Sequence, residues 1–138
     1  YNRKLLKVYY ISFLSNRDIF DGNLMDTNDK KFLMNLTKEI EDNITDDELS
    51  WDFLCNKLSI SRIQLYRKVT ELTNMSPSEY ISSIKVRHAH HMLATTSLTV
   101  QEIMYASGFN NKSYFYREFK KFHNTTPKKF REDLLNQN

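Results

Sequence analysis

A short segment of the chain carries three side chains that a protein core does not favour. Residues 61–81, SRIQLYRKVTELTNMSPSEYI, follow a helical pattern in which Arg62, Tyr66 and Arg67 lie away from the apolar side. Arginine donates hydrogen bonds through a charged planar fork, and tyrosine combines an apolar ring with a hydroxyl group. Such a face is suited to a partner that presents anions and hydrogen-bond acceptors.

The same pattern occurs a second time. Residues 111–131, NKSYFYREFKKFHNTTPKKFR, align with residues 61–81 at an offset of fifty positions. In each copy, apolar residues at i, i+4 and i+7 form a stripe that we expect to be buried. The stripes are Leu65, Val69 and Leu72, and Phe115, Phe119 and Phe122. The outward faces are Arg62, Ile63, Tyr66, Arg67 and Thr70, and Lys112, Ser113, Tyr116, Arg117 and Lys120.

Composition and local signals predict an all-helical chain. Two Gly and two Pro are too few for a turn-rich β sandwich or barrel. The predicted helices are residues 3–19, 28–43, 50–58, 61–74, 77–94, 99–107, 111–123 and 127–135. Two tight turns, at residues 58–60 and 107–109, each join a short helix to a longer one. This arrangement is the helix-turn-helix motif.

Particular residues mark where these helices begin and end. A hydroxyl three residues before an acid or amide predicts a capping box, as in Ser61 with Gln64, Ser76 with Glu79, and Thr99 with Glu102. Prolines at first helical positions are Pro77 and Pro127. Residues suited to a left-handed helix end are Asn74, Gly108 and Asn124.

Charge is segregated along the chain. Residues 59–131 hold twelve Lys/Arg against four Glu, a net +8, whereas residues 21–58 hold four Lys/Arg against ten Asp/Glu, a net −6. Charge alone fits RNA, DNA or an acidic membrane surface. A helix, however, fits the major groove of DNA, where arginine prefers guanine and apolar groups contact thymine.

We therefore predict that both outward faces bind nucleic acid. The predicted base-reading residues are Arg62, Ile63, Tyr66, Arg67, Lys112, Ser113, Tyr116 and Arg117. The predicted phosphate contacts are Lys68, Lys85, Arg87, Lys120, Lys121, Lys128 and Lys129. Two alternatives stay open. The faces could be merely solvated, or the chain could be a helical protein-interaction module whose basic face binds an acidic partner domain.

Other reactive side chains do not form a recognisable site. His88 and His91 share a helix face near His90, but the only other histidine, His123, lies in the second repeat. We predict no metal site, and expect these histidines to be solvated or to face phosphate. Cys55 lies among apolar neighbours and is predicted to be a buried thiol. Without a phosphate-binding glycine loop or a metalloprotease motif, we predict neither enzyme activity nor a cofactor.

The two longest phrases resemble a known family. LSISRIQLYRKVTELTNMSPSEYI and LTVQEIMYASGFNNKSYFYREFKKFHNTTPKKFR resemble the DNA-binding domain of AraC/XylS transcription regulators, over about residues 28–135. The segment LYRKVTELTNMSPSEYI is most similar to the C-terminal domain of hybrid two-component regulators. Asn74 and Asn124 replace the family's common glycine, and Met104 replaces a usual alanine.

The resemblance implies the fold and the partners. It implies two tandem helix-turn-helix subdomains, homeodomain-like three-helical units, at about residues 50–74 and 99–123. A long linker helix, 77–94, would hold the two reading helices about 34 Å apart, one turn of duplex DNA. Residues 127–135 would form a C-terminal helix. Double-stranded DNA and RNA polymerase are the expected partners, and most members of the family are activators.

Residues 1–27 fall outside the domain that we assign to residues 28–138. They are predicted to be a helix and linker that couples the domain to a preceding receiver or sensor module, or that mediates homodimer contact. The alternative, that this helix has no defined role, stays open. Because the chain begins with Tyr, we expect a piece of a longer protein. We expect a cytoplasmic domain without membrane contact, although the full-length protein could be membrane-anchored.

Overall fold

The computed structural model describes residues 26–137. Within this range the chain forms seven helices and no strand, which confirms the predicted all-helical fold class. The helices are α1 (Thr27–Asp42), α2 (Trp51–Leu58), α3 (Arg62–Thr73), α4 (Pro77–Thr95), α5 (Val100–Ala106), α6 (Lys112–His123) and α7 (Pro127–Asn136). The predicted helix 3–19 lies outside the described residues. No described helix is long and apolar enough to cross a membrane.

The predicted capping boxes begin three of these helices. At α3, the Gln64 backbone N–H donates to Ser61 Oγ at 3.2 Å, and the Ser61 backbone N–H donates to Gln64 Oε1 at 3.1 Å. Ser76 with Glu79 and Thr99 with Glu102 make the same reciprocal pairs. Each box satisfies backbone donors that have no partner within the helix. Gln64 therefore acts as a capping residue, as its spacing indicates.

One left-handed residue at a helix end, Ser59, was not predicted. The predicted left-handed residues Asn74, Gly108 and Asn124 have φ values of 59°, 95° and 58°. Ser59, at the turn of the first motif, also has a positive φ, of 55°. An offset of 49 aligns Ser59 with Gly108. The repeat therefore held the signal, because equivalent turns need equivalent backbone angles.

The described residues fall into two compact units, 26–81 and 82–137, which we call the N-terminal and C-terminal units. The core of the N-terminal unit is mostly aliphatic. It is formed by Leu33, Leu36, Ile40, Leu54, Leu65, Val69 and Tyr80. The hydroxyls of Thr37 and Tyr80 share a 2.7 Å hydrogen bond inside it. Cys55 is a buried free thiol, as predicted, whereas Leu72 is only half-buried.

The core of the C-terminal unit contains more aromatic rings than that of the N-terminal unit. It is formed by Val86, Ala89, Leu93, Ile103, Met104, Phe109, Phe115 and Phe119, with Phe122 half-buried at its edge. The Phe109 and Phe115 rings lie 5.0 Å apart between centroids. Arg131 on α7 donates to the carbonyl oxygens of Leu93, Thr96 and Leu98, and so ties α7 to the end of α4 and the following loop.

Candidate nucleic-acid interface

The exposed face of α3 is set by what its other face buries. Leu65 and Val69 are fully buried, so residues on the opposite side of α3 face outward. Ile63 is 79% exposed and Tyr66 is 50% exposed, and Arg62 and Arg67 are also exposed. All four predicted base-reading residues of the first repeat thus lie on the exposed side of α3, within its N-terminal half. Such positions are the ones that enter a major groove in helix-turn-helix proteins.

Thr70 differs from the rest of the predicted outward face. It is half-buried, and its Oγ1 atom is buried without a hydrogen-bond partner in residues 26–137. Thr70 lies one turn beyond Tyr66 on α3. Its burial sets it apart from Arg62, Ile63, Tyr66 and Arg67, which are all exposed.

Two arginines on α3 have different surroundings. The Arg62 guanidinium carbon lies 5.2 Å from the centre of the Trp51 ring, and Arg62 Nη1 lies 3.5 Å from Asp52 Oδ1. The Trp51 and Tyr66 rings are stacked at 6.1 Å. Arg67 makes no side-chain hydrogen bond, ion pair or ring contact within the described part of the chain. Sequence reasoning missed Trp51, although its aromatic ring near a helix start was a visible signal.

The exposed face of α6 is organised differently. Lys112, Ser113 and Arg117 are exposed, whereas Tyr116 is half-buried and packs against the core. Lys112 Nζ lies 5.5 Å from the centre of the Tyr116 ring. The Arg117 guanidinium lies 5.0 Å from the Tyr114 ring, and Arg117 Nε lies 3.8 Å from the buried Glu118 carboxylate. Arg117 is thus engaged within its own unit.

The predicted phosphate contacts fall into three groups. Lys120, Lys121, Lys128 and Lys129 are exposed on α6 and α7, and Lys129 Nζ pairs with Asp133 at 3.1 Å. Lys68 and Lys85 are half-buried over phenylalanine rings, at 4.9 Å and 5.8 Å. Arg87 is only 7% exposed. This burial corrects its assignment as a phosphate contact, because so enclosed a guanidinium cannot present itself to a ligand.

His90 and His123 form a stacked pair inside the C-terminal unit. Their ring centroids are 4.1 Å apart, and Phe130 lies 4.3 Å from His90. Burial, and then the nearby His123, lower the pKa of His90 to about 3. Burial, and then Arg87, lower the pKa of His123 to about 4. Both imidazoles are therefore neutral near neutral pH.

The prediction that the histidines are solvated or face phosphate is wrong for His90. Its spacing from Val86 and Leu93, four and three residues away, continues the buried stripe of α4. That periodicity was the signal by which sequence reasoning could have placed it. Within residues 26–137, no three His, Cys, Asp or Glu side chains are grouped so that they could hold a metal ion.

Comparison with known proteins assigns this geometry to a family. A family model described as a helix-turn-helix domain matches residues 54–133, more than half of the chain. The chain belongs to the AraC-type helix-turn-helix family of DNA-binding transcription regulators. The AraC/XylS resemblance of the two repeated phrases is therefore confirmed.

Solved AraC-type structures share the fold. The chain is similar to an AraC-type transcriptional regulator from Chromobacterium violaceum, with a TM-score of 0.71, 26% identity, and coverage of 79% of this chain and 96% of that one. It is also similar to the C-terminal domain of the two-component response regulator yesN from Fusobacterium nucleatum, with a TM-score of 0.65, 28% identity, and coverage of 76% and 99%.

Two curated relatives are much longer than this chain. Histidine kinase P4 from Formosa agariphila is 30% identical over 109 residues, which cover 79% of this chain and 8% of the kinase. The HTH-type transcriptional activator RhaS from Salmonella paratyphi B is 26% identical over 131 residues, which cover 95% of this chain and 46% of RhaS. The chain thus spans less than half the length of either relative.

Proposed function

We propose that residues 28–138 bind double-stranded DNA in a sequence-specific manner. The observation that carries this proposal is the N-terminal half of α3, where Arg62, Ile63, Tyr66 and Arg67 are all exposed opposite a buried stripe. A side chain must be exposed near the start of the recognition helix to reach base edges in the major groove. The membership of the chain in a DNA-binding family supports the same reading.

Base reading and phosphate binding are divided between different residues in this proposal. Arg62, Ile63, Tyr66 and Arg67 on α3 read one groove segment, and Lys112, Ser113, Tyr116 and Arg117 on α6 read the next, about 34 Å away. Phosphate contacts come from Lys68, Lys85, Lys120, Lys121, Lys128 and Lys129. Contacts of this second kind supply affinity and little sequence preference. Arg87 is left out because it is buried.

The wider context is part of the proposal. We place this domain at the output end of a hybrid two-component signalling protein, following a receiver or sensor module, in the cytoplasm. The similarities to a histidine kinase and to the C-terminal domain of a response regulator support this placement. The similarity to RhaS, a transcriptional activator, favours activation through contact with RNA polymerase. Homodimer formation in the full-length protein and the absence of catalytic activity in this domain belong to the same proposal.

Selection of bound sites from a random duplex library tests sequence-specific binding. The recovered motif is expected to contain two half-elements centred one helical turn, about 10 base pairs, apart. The domain should bind the selected site at least about 10³-fold more tightly than bulk competitor DNA. Binding without an enriched motif would contradict the proposal, and would instead fit a basic face that recognises any acidic partner.

A variant with Arg62 and Arg67 both changed to Ala provides the matched arm of this selection. The sites that this variant selects should lack the half-element read by α3 and keep the one read by α6. Loss of both half-elements together, in a variant that melts at the wild-type temperature, would argue against two independent reading helices.

A further inference from the structure

Trp51 occupies an unusual place next to the base-reading face. It is the first residue of α2 and the only tryptophan in the sequence. Its ring is half-buried and lies beside two exposed residues of α3, with Arg62 at 5.2 Å and Tyr66 at 6.1 Å. A tryptophan that served the core alone would cover apolar atoms, whereas this ring covers a solvent-exposed cation.

The indole is itself held in a defined orientation. Its Nε1–H donates a 2.8 Å hydrogen bond to Ser78 Oγ, in the first turn of α4. This bond and the α2 backbone fix the ring from two sides. Asp52, the next residue of α2, forms an ion pair with Arg62 at 3.5 Å. Arg62 is therefore restrained by a ring face and by a carboxylate from the same helix turn.

We propose that Trp51 is a positioning residue that holds Arg62 and Tyr66 in their base-reading orientation, and so sets sequence preference without contacting a base itself. This inference rests on the proposed function. Arginine loses much rotamer freedom when it binds, so a side chain that is already ordered gains selectivity for the base that matches its orientation. A cation held over an aromatic ring retains that order even at an exposed site.

The C-terminal unit lacks this arrangement. At an offset of 49, Val100 is the first residue of α5 where Trp51 is the first of α2. Lys112, which aligns with Arg62, lies over Tyr116 of its own helix. The two units therefore order their first cation by different means, across helices in one unit and within a helix in the other.

Three variants isolate the parts of this arrangement. Trp51→Val introduces the residue of the other unit and removes the ring. Trp51→Phe keeps a ring but loses the Nε1–H donor, and Ser78→Ala removes only its acceptor. Met34→Val, an exposed large-to-small change on α1 of the same unit, is the matched control. Affinity is measured for the selected site and for every single-base substitution in the half-element read by α3.

Trp51→Val should reduce discrimination at one or two bases of that half-element by about 3- to 10-fold. The smaller changes Trp51→Phe and Ser78→Ala should cause smaller losses at the same bases. The other half-element and the dependence of affinity on salt should stay unchanged, because no phosphate contact is removed. Met34→Val should match the wild type. In the wild type, the tryptophan emission should change when the selected site binds, and should change less with a scrambled α3 half-element.

The outcomes separate this inference from the function on which it rests. A wild-type domain that binds all duplexes alike overturns the proposed function. A wild-type domain with a clear site preference, unaltered by Trp51→Val and accompanied by constant tryptophan emission, overturns only the role of Trp51. If Trp51→Val does not fold, as judged by circular dichroism, Trp51→Phe and Ser78→Ala decide the same question at the same bases.

Discussion

The N-terminal and C-terminal units build the same helix-turn-helix motif from different cores. Leucine, isoleucine and valine side chains fill the first, whereas phenylalanine rings and the His90–His123 stack fill much of the second. Helices α3 and α6 nevertheless bury their residues at i and i+4, Leu65 and Val69 in α3 and Phe115 and Phe119 in α6. The spacing of the buried stripe therefore sets which face of the helix is exposed, and the residue type only has to fill the volume.

Two arginines at equivalent positions of the repeat, Arg67 and Arg117, differ in their contacts. Arg67 makes no side-chain hydrogen bond, ion pair or ring contact within residues 26–137, whereas its counterpart Arg117 lies against Tyr114 and Glu118. The Glu118 side chain is only 10% exposed, so it competes with a base acceptor for Arg117 more strongly than the 72% exposed Asp52 side chain competes for Arg62. The repeat predicts equal exposure for Arg67 and Arg117, but their different contacts lead us to expect that Arg67 binds a base more readily.

The largest expected contrast concerns the cores. Phe119→Ala should lower the free energy of unfolding by about 3–5 kcal/mol, and Leu65→Ala by about 2–5 kcal/mol. Phe119 should cost more, because its ring also contacts His90, His123 and Phe130. Urea denaturation followed by circular dichroism measures both. Leu135→Ala, at a position 68% exposed, should change stability by less than about 0.5 kcal/mol. An equal, small effect of both core variants would show that the buried stripes are assigned wrongly.

The next contrast concerns the reading arginines. Arg67→Ala should cost about 1–3 kcal/mol in affinity for the selected site and relax preference at one base. Arg117→Ala should cost less than about 1 kcal/mol, because the largely buried Glu118 carboxylate competes with a base acceptor for the Arg117 guanidinium. Titration of the selected duplex and of its single-base variants measures both quantities.

Lys128→Ala is the control for this arginine pair. It should weaken binding to all sequences alike, and lower the slope of log affinity against log salt by about 1. If Arg67→Ala also acts uniformly on all sequences, the assignment of Arg67 to base reading is wrong. A larger effect of Arg117→Ala than of Arg67→Ala would contradict the expectation that pairing with Glu118 weakens base binding by Arg117.

Mild acid should lower the stability of the C-terminal unit through its histidines, whereas residues 26–81 contain no histidine. The pKa values of His90 and His123 are lowered in the folded chain to about 3 and about 4, so between those values and about 6.5 the unfolded chain binds more protons. Stability is therefore full above pH 6.5 and falls as the pH drops, by at most about 1.4 kcal/mol per pH unit for each histidine.

Urea midpoints measured from pH 7 to pH 4.5 test this acid sensitivity. His90→Phe keeps a stacked ring and removes one titrating group, so its midpoint should decline less steeply than that of the wild type. A midpoint that is constant across this range would mean that both imidazoles are as readily protonated in the folded chain as in the unfolded one.

The smallest contrast concerns the turns. Ser59 and Gly108 occupy equivalent positions with positive φ, of 55° and 95°, but only glycine takes such angles without a steric penalty. Ser59→Gly should raise the free energy of unfolding by about 0.5–1 kcal/mol, since the relieved strain exceeds the added chain entropy. Gly108→Ala should lower it by about 1 kcal/mol. Thermal melts of the two variants measure these changes, and destabilisation by Ser59→Gly would contradict the expected strain.

Much of the fold was predictable because helix boundaries depend on nearby residues. Ser61 with Gln64 and Thr99 with Glu102 mark their helix starts through bonds that span three positions. The burial of Arg87 was not predictable in this way, since a cation on a helix is normally expected in solvent. Charge counting along the chain treats every lysine and arginine as equally available, and the structure shows that they are not.

The sequence by itself determined the number and limits of the described helices and the faces that α3 and α6 bury, because capping and periodicity act within a few residues. Only the tertiary structure decided the environment of each exposed cation. Trp51 reaches Arg62, and His90 meets His123, between helices that are separate along the chain. Such neighbours come together only when cores pack, so no local pattern in the sequence specifies them.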